Sequence, residues 1–216
     1  MRALVTGAAG FIGSNVVRAL SAAGHDVRAM HLPGEDLRSL RGLPATRFAG
    51  DVTDAESVER AMRDRDVVFH LAAIYALWTP SAARMHLVNV GGTRNVLRAA
   101  RSSGIRVVHT SSIARFGGQG PDARATEQSP FALGPTRDAY SRSKADAHEL
   151  ATQAAREQDV VIVAPCGPIG PGDAGPTPTG RLLLAALRMP VAVVAPTMTN
   201  FADVRDMAAE IGRAHV

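Results

Sequence analysis

The segment AYSRSK, residues 139–144, brings together two side chains that are rare in this chain. It holds Tyr140, one of two tyrosines, and Lys144, the only lysine among 24 basic residues. On a solvated surface arginine serves as well as lysine does. In a reactive site the two are not interchangeable, because lysine carries a compact ammonium on a flexible stem. On a helix the two residues are four apart and share one face. An ammonium beside a phenol favours the phenolate, so we expect a lowered pKa for Tyr140 and acid–base chemistry there.

A serine pair adds a third kind of group to this set. The run IRVVHTSS at 105–112 ends in Ser111 and Ser112, directly after an apolar stretch. A serine hydroxyl, a tyrosine and a lysine around one carbonyl are what reversible hydride transfer to an oxygen-bearing carbon requires. Lysine can also donate to the ribose hydroxyls of a nicotinamide nucleotide. The alternative is a chance Y-x-x-x-K on an exposed helix face.

The run VTGAAGFIG at 5–13 spaces three glycines at intervals of three, between a strand pattern and a helix pattern. Glycine permits a tight turn and lets backbone N–H groups approach a diphosphate at a helix N-terminus. A structural strand-to-helix turn would show the same spacing, but the position after the first strand favours a dinucleotide site. The predicted cofactor contacts in this loop are Gly7, Ala9, Gly10, Phe11, Ile12 and Gly13.

Apolar runs alternate with helical patterns along the chain, which predicts an α/β fold with a doubly wound parallel sheet, the Rossmann fold. Its ligand is expected at the carboxyl ends of the strands. The predicted strands are 2–6, 26–30, 45–50, 66–72, 105–112 and 159–165, and the predicted helices are 11–23, 54–63, 80–102 and 138–157. After a Pro/Gly-rich run we expect a helix, a short strand at 191–195 and a closing helix. Residues 1–165 would form the dinucleotide-binding domain, and 166–216 a partial substrate-binding segment packed on it.

The end of the second strand carries His31 and Leu32, where dinucleotide folds often have an acid for the adenosine ribose. The lack of a carboxylate there, with Arg38 and Arg41 a few residues on, favours NADP over NAD. Asp51 follows the third strand, where it can accept from the adenine amino group or else cap a helix. Small residues after the fourth strand avoid a collision with a cofactor. The contacts predicted at these strand ends are His31, Asp51, Val52, Leu71, Ala72, Ala73 and Ser111.

Composition narrows the class of protein. A hydrophobic content of 46% with 20% charged residues is typical of a globular chain. No apolar run reaches the roughly 18 residues of a membrane span, and no signal-peptide pattern precedes the first strand. The single cysteine, Cys166, cannot form an internal disulfide, so we expect a cytoplasmic protein. The net charge is +4, with arginines scattered among 20 acids. We therefore expect no nucleic-acid partner, no membrane partner and no metal site.

Eight segments together resemble the extended short-chain dehydrogenases/reductases of the NAD-dependent epimerase/dehydratase family, over essentially the whole chain. They are TGAAGFIG, GDVTD, HLAA, NVGGTRNVL, HTSSIARFGG, YSRSK, PIGPGD and NFADVRDMA. The run GPIGPGDAGPTPTGRLLL is most similar to the branch of dihydroflavonol-reductase-like proteins and hopanoid-associated sugar epimerases. The resemblance implies that Ser112 is the catalytic serine, Tyr140 the acid/base and Lys144 its partner. It also implies cofactor contacts at Asn89, Pro165, Gly167 and Ile169, although Asn89 can equally be a helix residue bonded to backbone.

The resemblance and its departures predict the activity. Ile113 and Ala114 follow Ser112 where the sugar-nucleotide dehydratases of the family carry an Asp-Glu pair, so we do not expect dehydration. We predict an NAD(P)-dependent oxidoreductase that acts on a carbonyl or secondary alcohol of a small molecule. An epimerase using bound NAD⁺ would share every catalytic residue, and a dinucleotide-binding module without turnover is a third alternative.

Two further expectations follow from the family. Its members usually continue well past this point, so either the substrate lobe is reduced or the sequence is truncated. The helices near 80–102 and 138–157 commonly pair across a two-fold axis, which predicts a homodimer.

Overall fold

A six-stranded parallel sheet forms the centre of the molecule, with the strand order β3-β2-β1-β4-β5-β6. The computed structural model describes residues 1–76, 78–116, 125–129, 138–188 and 200–215. The strands of the sheet are β1 (Arg2–Thr6), β2 (Asp26–His31), β3 (Thr46–Ala49), β4 (Val67–His70), β5 (Arg106–Thr110) and β6 (Val160–Val163). This is the strand order of dinucleotide-binding folds, so the predicted α/β Rossmann fold is confirmed.

Helices cover both faces of the sheet. They are α1 (Phe11–Ala22), α2 (Ala55–Met62), α3 (Ala82–His86), α4 (Gly92–Ser103), α5 (Ala139–Ala154), α6 (Pro178–Arg188) and α7 (Val204–Arg213). One hydrophobic cluster joins β1 and β4 to α1 and α7, and a second joins β4 and β5 to α2 and α4. Since β4 and β5 are covered on both sides, their sequences are nearly continuous apolar runs.

Short polar side chains begin the helices that carry site residues. Asp138 caps α5, where its carboxylate accepts hydrogen bonds from the N–H groups of Tyr140 and Ser141, both at 3.0 Å. Asp54 caps α2 in the same way and accepts from the Glu56 N–H. The helix predicted at 80–102 contains a π-helical turn, Leu87–Gly91, between α3 and α4. Such turns are frequent at functional sites because they shift side chains away from their regular helical positions.

The last part of the chain forms a second layer beside the sheet. Strand β7 (Gly167–Ile169) pairs in parallel with β8 (Phe201–Asp203), a small sheet that the sequence pattern did not predict. Helix α7 packs on α1 and places Ala208 and Ile211 in the main core. The strand predicted at 191–195 lies outside the described residues. Within the described ranges, no helix is both long enough and apolar enough to cross a membrane.

Candidate active site

The carboxyl ends of β1, β4 and β5 open into a cleft of about 1040 Å³. Residues of α5, α6 and β8 complete its walls. The predicted site residues that line it are Gly7, Ala9, Gly10, Phe11, Ile12, Gly13, Leu71, Ala73, Ser111, Ser112, Tyr140, Lys144, Pro165 and Gly167. The predicted residues outside this lining are His31, Asp51, Val52, Ala72, Asn89 and Ile169. The cleft lies beside the switch point of the sheet, where open α/β folds bind their ligands.

The glycines of the first loop have two different functions in the structure. Gly7 has a φ of +66°, and a Cβ there would lie 2.7 Å from the Ala72 Cα. A Cβ on Gly13 would lie 2.1 Å from the Gly7 carbonyl oxygen. Both positions are therefore fixed by the tight turn itself. A Cβ on Gly10 would meet only the Gly7 oxygen, at 3.2 Å, and Gly10 is exposed, so its missing side chain leaves room on the cleft side.

The N-terminus of α1 provides hydrogen-bond donors to the same space. Gly10 is the N-cap and has no side chain to accept from the N–H groups of the first turn. That turn carries no acidic residue, so the positive end of the helix is not neutralised locally. Free N–H groups at a positive helix end bind phosphate oxygens. The room beside Gly10 and these donors together fit the diphosphate of a dinucleotide.

The predicted contacts near the adenosine end have local partners. His31 Nδ1 lies 2.9 Å from the Leu32 carbonyl oxygen. Asp51 accepts from the Thr53 N–H at 2.8 Å in a turn that precedes α2, and Val52 is buried. None of the three lines the cleft.

Two carboxylates that the sequence analysis did not assign do line this end. The loop after β2 turns at Gly34, where φ is +76°, and Glu35 accepts from the Leu32 N–H at 2.9 Å. Asp36 follows and forms an ion pair of 2.5 Å with Arg38. The backbone and side chain of Arg38 lower the pKa of Asp36. The expectation that this end lacks a carboxylate is therefore wrong, because the PGED turn at 33–36 brings two acids back to the cleft.

The floor of the cleft is fixed by Thr6 at the end of β1. Its hydroxyl lies 2.8 Å from His70 Nδ1 and accepts from the N–H groups of Leu71 and Ala72, both at 3.2 Å. His70 Nε2 lies 3.0 Å from the Thr93 hydroxyl of α4. Burial lowers the pKa of His70 to about 3, so the imidazole is neutral at physiological pH. This network holds the end of β4 close to the glycine loop.

Ser112, Tyr140 and Lys144 all line the cleft. Lys144 is buried, and its Nζ donates to the Thr110 carbonyl oxygen at 2.7 Å. Burial lowers the pKa of Lys144 to about 8. Ser112 lies near the phenol of Tyr140 and acts to lower its pKa. The neighbouring Ser111 pairs instead with His148 Nδ1, at 2.9 Å.

The expected lowering of the Tyr140 pKa does not occur in this structure. Burial raises the pKa of Tyr140 to about 12, against a smaller lowering by Ser112, and Tyr75 and Asp138 add still smaller increases. Sharing one helix face with Lys144 is therefore not enough to make the phenol acidic. The cost of burying a phenolate outweighs the stabilisation that this spacing was expected to provide.

Asn89 lies behind the cleft, in the π-helical turn. Its side-chain oxygen accepts from the Ile74 N–H at 2.7 Å, and its nitrogen donates to the Ile74 carbonyl at 3.1 Å. The same nitrogen donates to the Ser143 hydroxyl at 2.9 Å. The residue is buried. It therefore joins the loop after β4 to α5, which is closer to the backbone-bonding alternative than to a cofactor contact.

The far wall of the cleft comes from the segment after β6. Pro165 accepts from the Ile113 N–H at 3.1 Å, and Gly167 begins β7. Ile169 ends that strand outside the cleft lining. Besides Glu35 and Asp36, the lining residues that the sequence analysis missed include Tyr75, Thr179, Leu182 and Phe201. No local motif marks them, because they come together only when α6 and β8 pack beside the sheet.

The amino-acid sequence and the fold both match known proteins. A sequence model of the family described as NAD dependent epimerase/dehydratase matches residues 3–210. A protein of Synechocystis sp. named "Putative dihydroflavonol 4-reductase" is 41% identical over 207 residues, which are 95% of this chain and 60% of that protein. "Sterol demethylase protein B" of Methylococcus capsulatus is 37% identical over 213 residues, 97% of this chain and 64% of its own length.

A solved structure shows the same fold. The UDP-glucose 4-epimerase of Thermus thermophilus in complex with NAD has a TM-score of 0.82 at 28% identity. The match covers 96% of this chain and 72% of that one. The chain spans less than two thirds of the length of the two sequence relatives.

Proposed function

Since the chain belongs to the NAD-dependent epimerase/dehydratase family, we propose that it is an NAD(P)-dependent oxidoreductase of the extended short-chain type. It acts on a carbonyl or a secondary alcohol of a small molecule. The observation that carries this proposal is one cleft that combines a glycine loop with the Ser112, Tyr140 and Lys144 set. In this assignment residues 1–165 bind the dinucleotide and 166–216 contribute to the substrate side.

Each residue of the set has a separate chemical task. When bound, the nicotinamide supplies or accepts the hydride. Tyr140 donates the proton that the substrate oxygen needs as the carbonyl is reduced. Ser112 lines the cleft beside that phenol, and in this proposal its hydroxyl donates a hydrogen bond to the same substrate oxygen. Lys144 lies one turn further along α5, where its charge would stabilise the phenolate that remains.

The protonation of Tyr140 is compatible with either direction of reaction. With its pKa raised to about 12, the phenol keeps its proton at neutral pH, as a proton donor must, but it is a weaker acid than an exposed tyrosine. Ile113 and Ala114 line the cleft after Ser112 and provide no carboxylate. A dehydration that needs a second proton carrier at this position is therefore not supported.

The adenosine end favours NAD over NADP. Glu35 and Asp36 line the cleft there, and a carboxylate repels a ribose 2′-phosphate while it can accept from the ribose hydroxyls. Arg38, which would favour the phosphate, is already paired with Asp36. The preference for NADP expected from the sequence depended on the absence of a carboxylate, so it loses its basis.

Epimerisation is the second candidate function. It is favoured by the likeness to the UDP-glucose 4-epimerase with NAD, which has a TM-score of 0.82. The same three residues would serve it, because transient oxidation and re-reduction use one acid/base group. A net change in NADH with substrate identifies the oxidoreductase, whereas isomerised product without a net change identifies the epimerase.

The test uses the purified chain with NAD⁺ or NADH and a panel of polycyclic alcohols and ketones. The panel follows the relatives, which are named as a dihydroflavonol 4-reductase and a 3-beta-hydroxysteroid dehydrogenase. We expect Tyr140→Phe to lower turnover by about 10²–10⁴-fold, the usual loss without general acid–base catalysis. NAD affinity, measured by calorimetry, should change little, because the ring and its packing remain. Near-normal turnover in this variant would remove Tyr140 from the mechanism.

The proposal includes a cytoplasmic homodimer. The free Cys166 suits a reducing compartment. Helices α3 to α5 provide the surface for a two-fold contact, and Leu87 there is 57% exposed. Light scattering at micromolar protein should give the mass of two chains, and a monomeric mass would contradict this part of the proposal.

A further inference from the structure

The chain has two tyrosines, and they are in contact. The rings of Tyr75 and Tyr140 have centroids 4.9 Å apart and an interplanar angle of 52°. Aromatic rings attract one another at this separation. Tyr140 has a role in the proposed chemistry, whereas Tyr75 lies just after the HLAA segment and belongs to none of the eight segments.

Buried hydrogen bonds hold the backbone at both tyrosines. Asn89 bonds the N–H and the carbonyl of Ile74, the residue before Tyr75. The same amide donates to the Ser143 hydroxyl, which donates to the Tyr140 carbonyl at 2.8 Å. A continuous chain of hydrogen bonds therefore joins the backbone beside one tyrosine to the backbone of the other. These bonds hold the backbone at both tyrosines in place on the buried side of the cleft.

On the outer side, Tyr75 reaches across the cleft. Its hydroxyl lies 3.2 Å from the Thr179 hydroxyl in the first turn of α6. The two tyrosines and Thr179 all line the cleft, and Tyr75 is 37% exposed. The ring of Tyr75 therefore stands between α6 and Tyr140.

We infer that Tyr75 is a positioning residue of the active site: its ring shields the Tyr140 phenol from water, and its hydroxyl joins α6 to that ring. The inference rests on the proposed function, in which Tyr140 is the acid/base group. Tyr75 transfers no proton in this role. The titratable or polar groups that act on the Tyr140 phenol are Ser112, Tyr75 itself and Asp138, with Lys144 one turn further along α5.

The first test compares two proteins that each keep a single tyrosine. Tyr75→Phe keeps the ring and removes the hydroxyl, whereas Tyr75→Ala removes both. In either variant the ultraviolet absorbance of phenolate reports Tyr140 alone, without substrate or cofactor. A phenol that loses its cover is easier to ionise, so the midpoint of Tyr75→Ala should be lower by roughly one pH unit.

Equal midpoints in the two variants would overturn the shielding role. Circular dichroism over the same pH range checks that each variant remains folded. Should Tyr75→Ala fail to fold, Tyr75→Leu takes its place, because leucine keeps volume without an aromatic ring. Its midpoint should also be lower than that of Tyr75→Phe, and an equal midpoint again contradicts the inference.

The second test addresses the contact with α6. Thr179→Val removes the hydroxyl at nearly constant shape, and we expect faster amide hydrogen exchange in the first turn of α6. Tyr75→Phe should give the same increase, and the double variant should add nothing to it, because both changes break one bond. Unchanged exchange in both single variants would remove the link. Neither readout needs turnover, so a chain inactive on every alcohol tested would contradict the proposed function and leave these measurements valid.

Discussion

The two ends of the cleft differ in how their residues are held. At the end beside the glycine loop, called the nucleotide end after the proposed function, Val5 and Phe69 are fully buried in strands that have helices on both faces. At the opposite end, called the substrate end, α6 has no buried residue, and Leu187 is 84% exposed. The first end is part of the main core, whereas the second rests on a two-stranded sheet and a few polar contacts such as Tyr75 with Thr179.

Under the proposed function, the first end would determine the general chemistry and the second the choice of substrate. The backbone groups at α1 that we propose to hold the cofactor need a rigid frame to meet it in one orientation. The substrate end contacts the cleft through side chains on helix and loop surfaces, which can change with little effect on the core. We therefore expect substitutions at the first end to alter stability or cofactor binding, and substitutions at the second to alter neither strongly.

The largest expected effect concerns the buried charge of Lys144. Its pKa is about 8 in the folded chain, against an ordinary value of 10.5 once the chain unfolds. Between these pH values the unfolded chain binds more protons, so the free energy of unfolding rises with pH. The cost of burying the charged ammonium of Lys144 is fully present below pH 8 and absent above pH 10.5. From pH 8 to pH 10.5, the wild type should gain on the order of 3 kcal/mol relative to Lys144→Met.

Urea unfolding of both proteins across this pH range measures the gain. Arg188→Met is the matched control, because Arg188 is an exposed cation on α6. Its removal should not change how the free energy of unfolding varies with pH. If the free energy of unfolding varies with pH in the same way in wild type and Lys144→Met, Lys144 is not buried as a cation. The buried charge would then not distinguish the core of the cleft from α6.

The second prediction compares one charge placed at each end of the cleft. Gly10→Glu puts a carboxylate and its side chain beside the N-terminus of α1, where the diphosphate is proposed to bind. We expect NAD affinity to fall by about 100-fold, or ~2.7 kcal/mol. Gly175→Glu puts the same side chain at the far wall, where a Cβ meets nothing within 4 Å. Calorimetry should show a much smaller change there, and equal losses would mean that the dinucleotide does not lie across the glycine loop.

Sequence patterns predicted the elements of the nucleotide end because local rules determine them. Continuous apolar runs predicted β1, β4 and β5, and the spacing of Gly7, Gly10 and Gly13 predicted the turn into α1. The pKa of Tyr140 was not predictable from its spacing to Lys144, because it depends on how completely the folded protein buries the phenol.

Contacts made by distant segments were also missed. Tyr75 and Thr179 are about a hundred positions apart, and no sequence rule relates them. The β7–β8 sheet depends on a pairing of the same kind. The strand ends were predicted to within two residues. The loop after β2 was not predicted, because the return of Asp36 to the cleft depends on the positive φ of Gly34.

The third prediction concerns the choice of cofactor. Asp36→Asn removes a carboxylate from the adenosine end and releases Arg38 from its ion pair. The ratio of NADP to NAD affinity should rise by about tenfold, or ~1.4 kcal/mol, because a free guanidinium attracts the 2′-phosphate. Arg38→Gln should shift the ratio the other way from Asp36→Asn. If Asp36→Asn leaves the ratio unchanged, these residues do not contact the ribose.

The smallest effect should come from α6. Leu187→Ala removes a large side chain, but one that is 84% exposed and outside the cleft lining. Surface substitutions of this kind usually change the free energy of unfolding by less than ~0.5 kcal/mol, and alanine favours a helix slightly more than leucine does. The matched substitution Ile211→Ala truncates a side chain that α7 buries in the main core, with an expected loss of ~2–5 kcal/mol. Urea unfolding of both variants measures the difference. A loss in Leu187→Ala as large as that in Ile211→Ala would show that α6 is packed as firmly as α7, and the two ends of the cleft would no longer differ in the way their burial indicates.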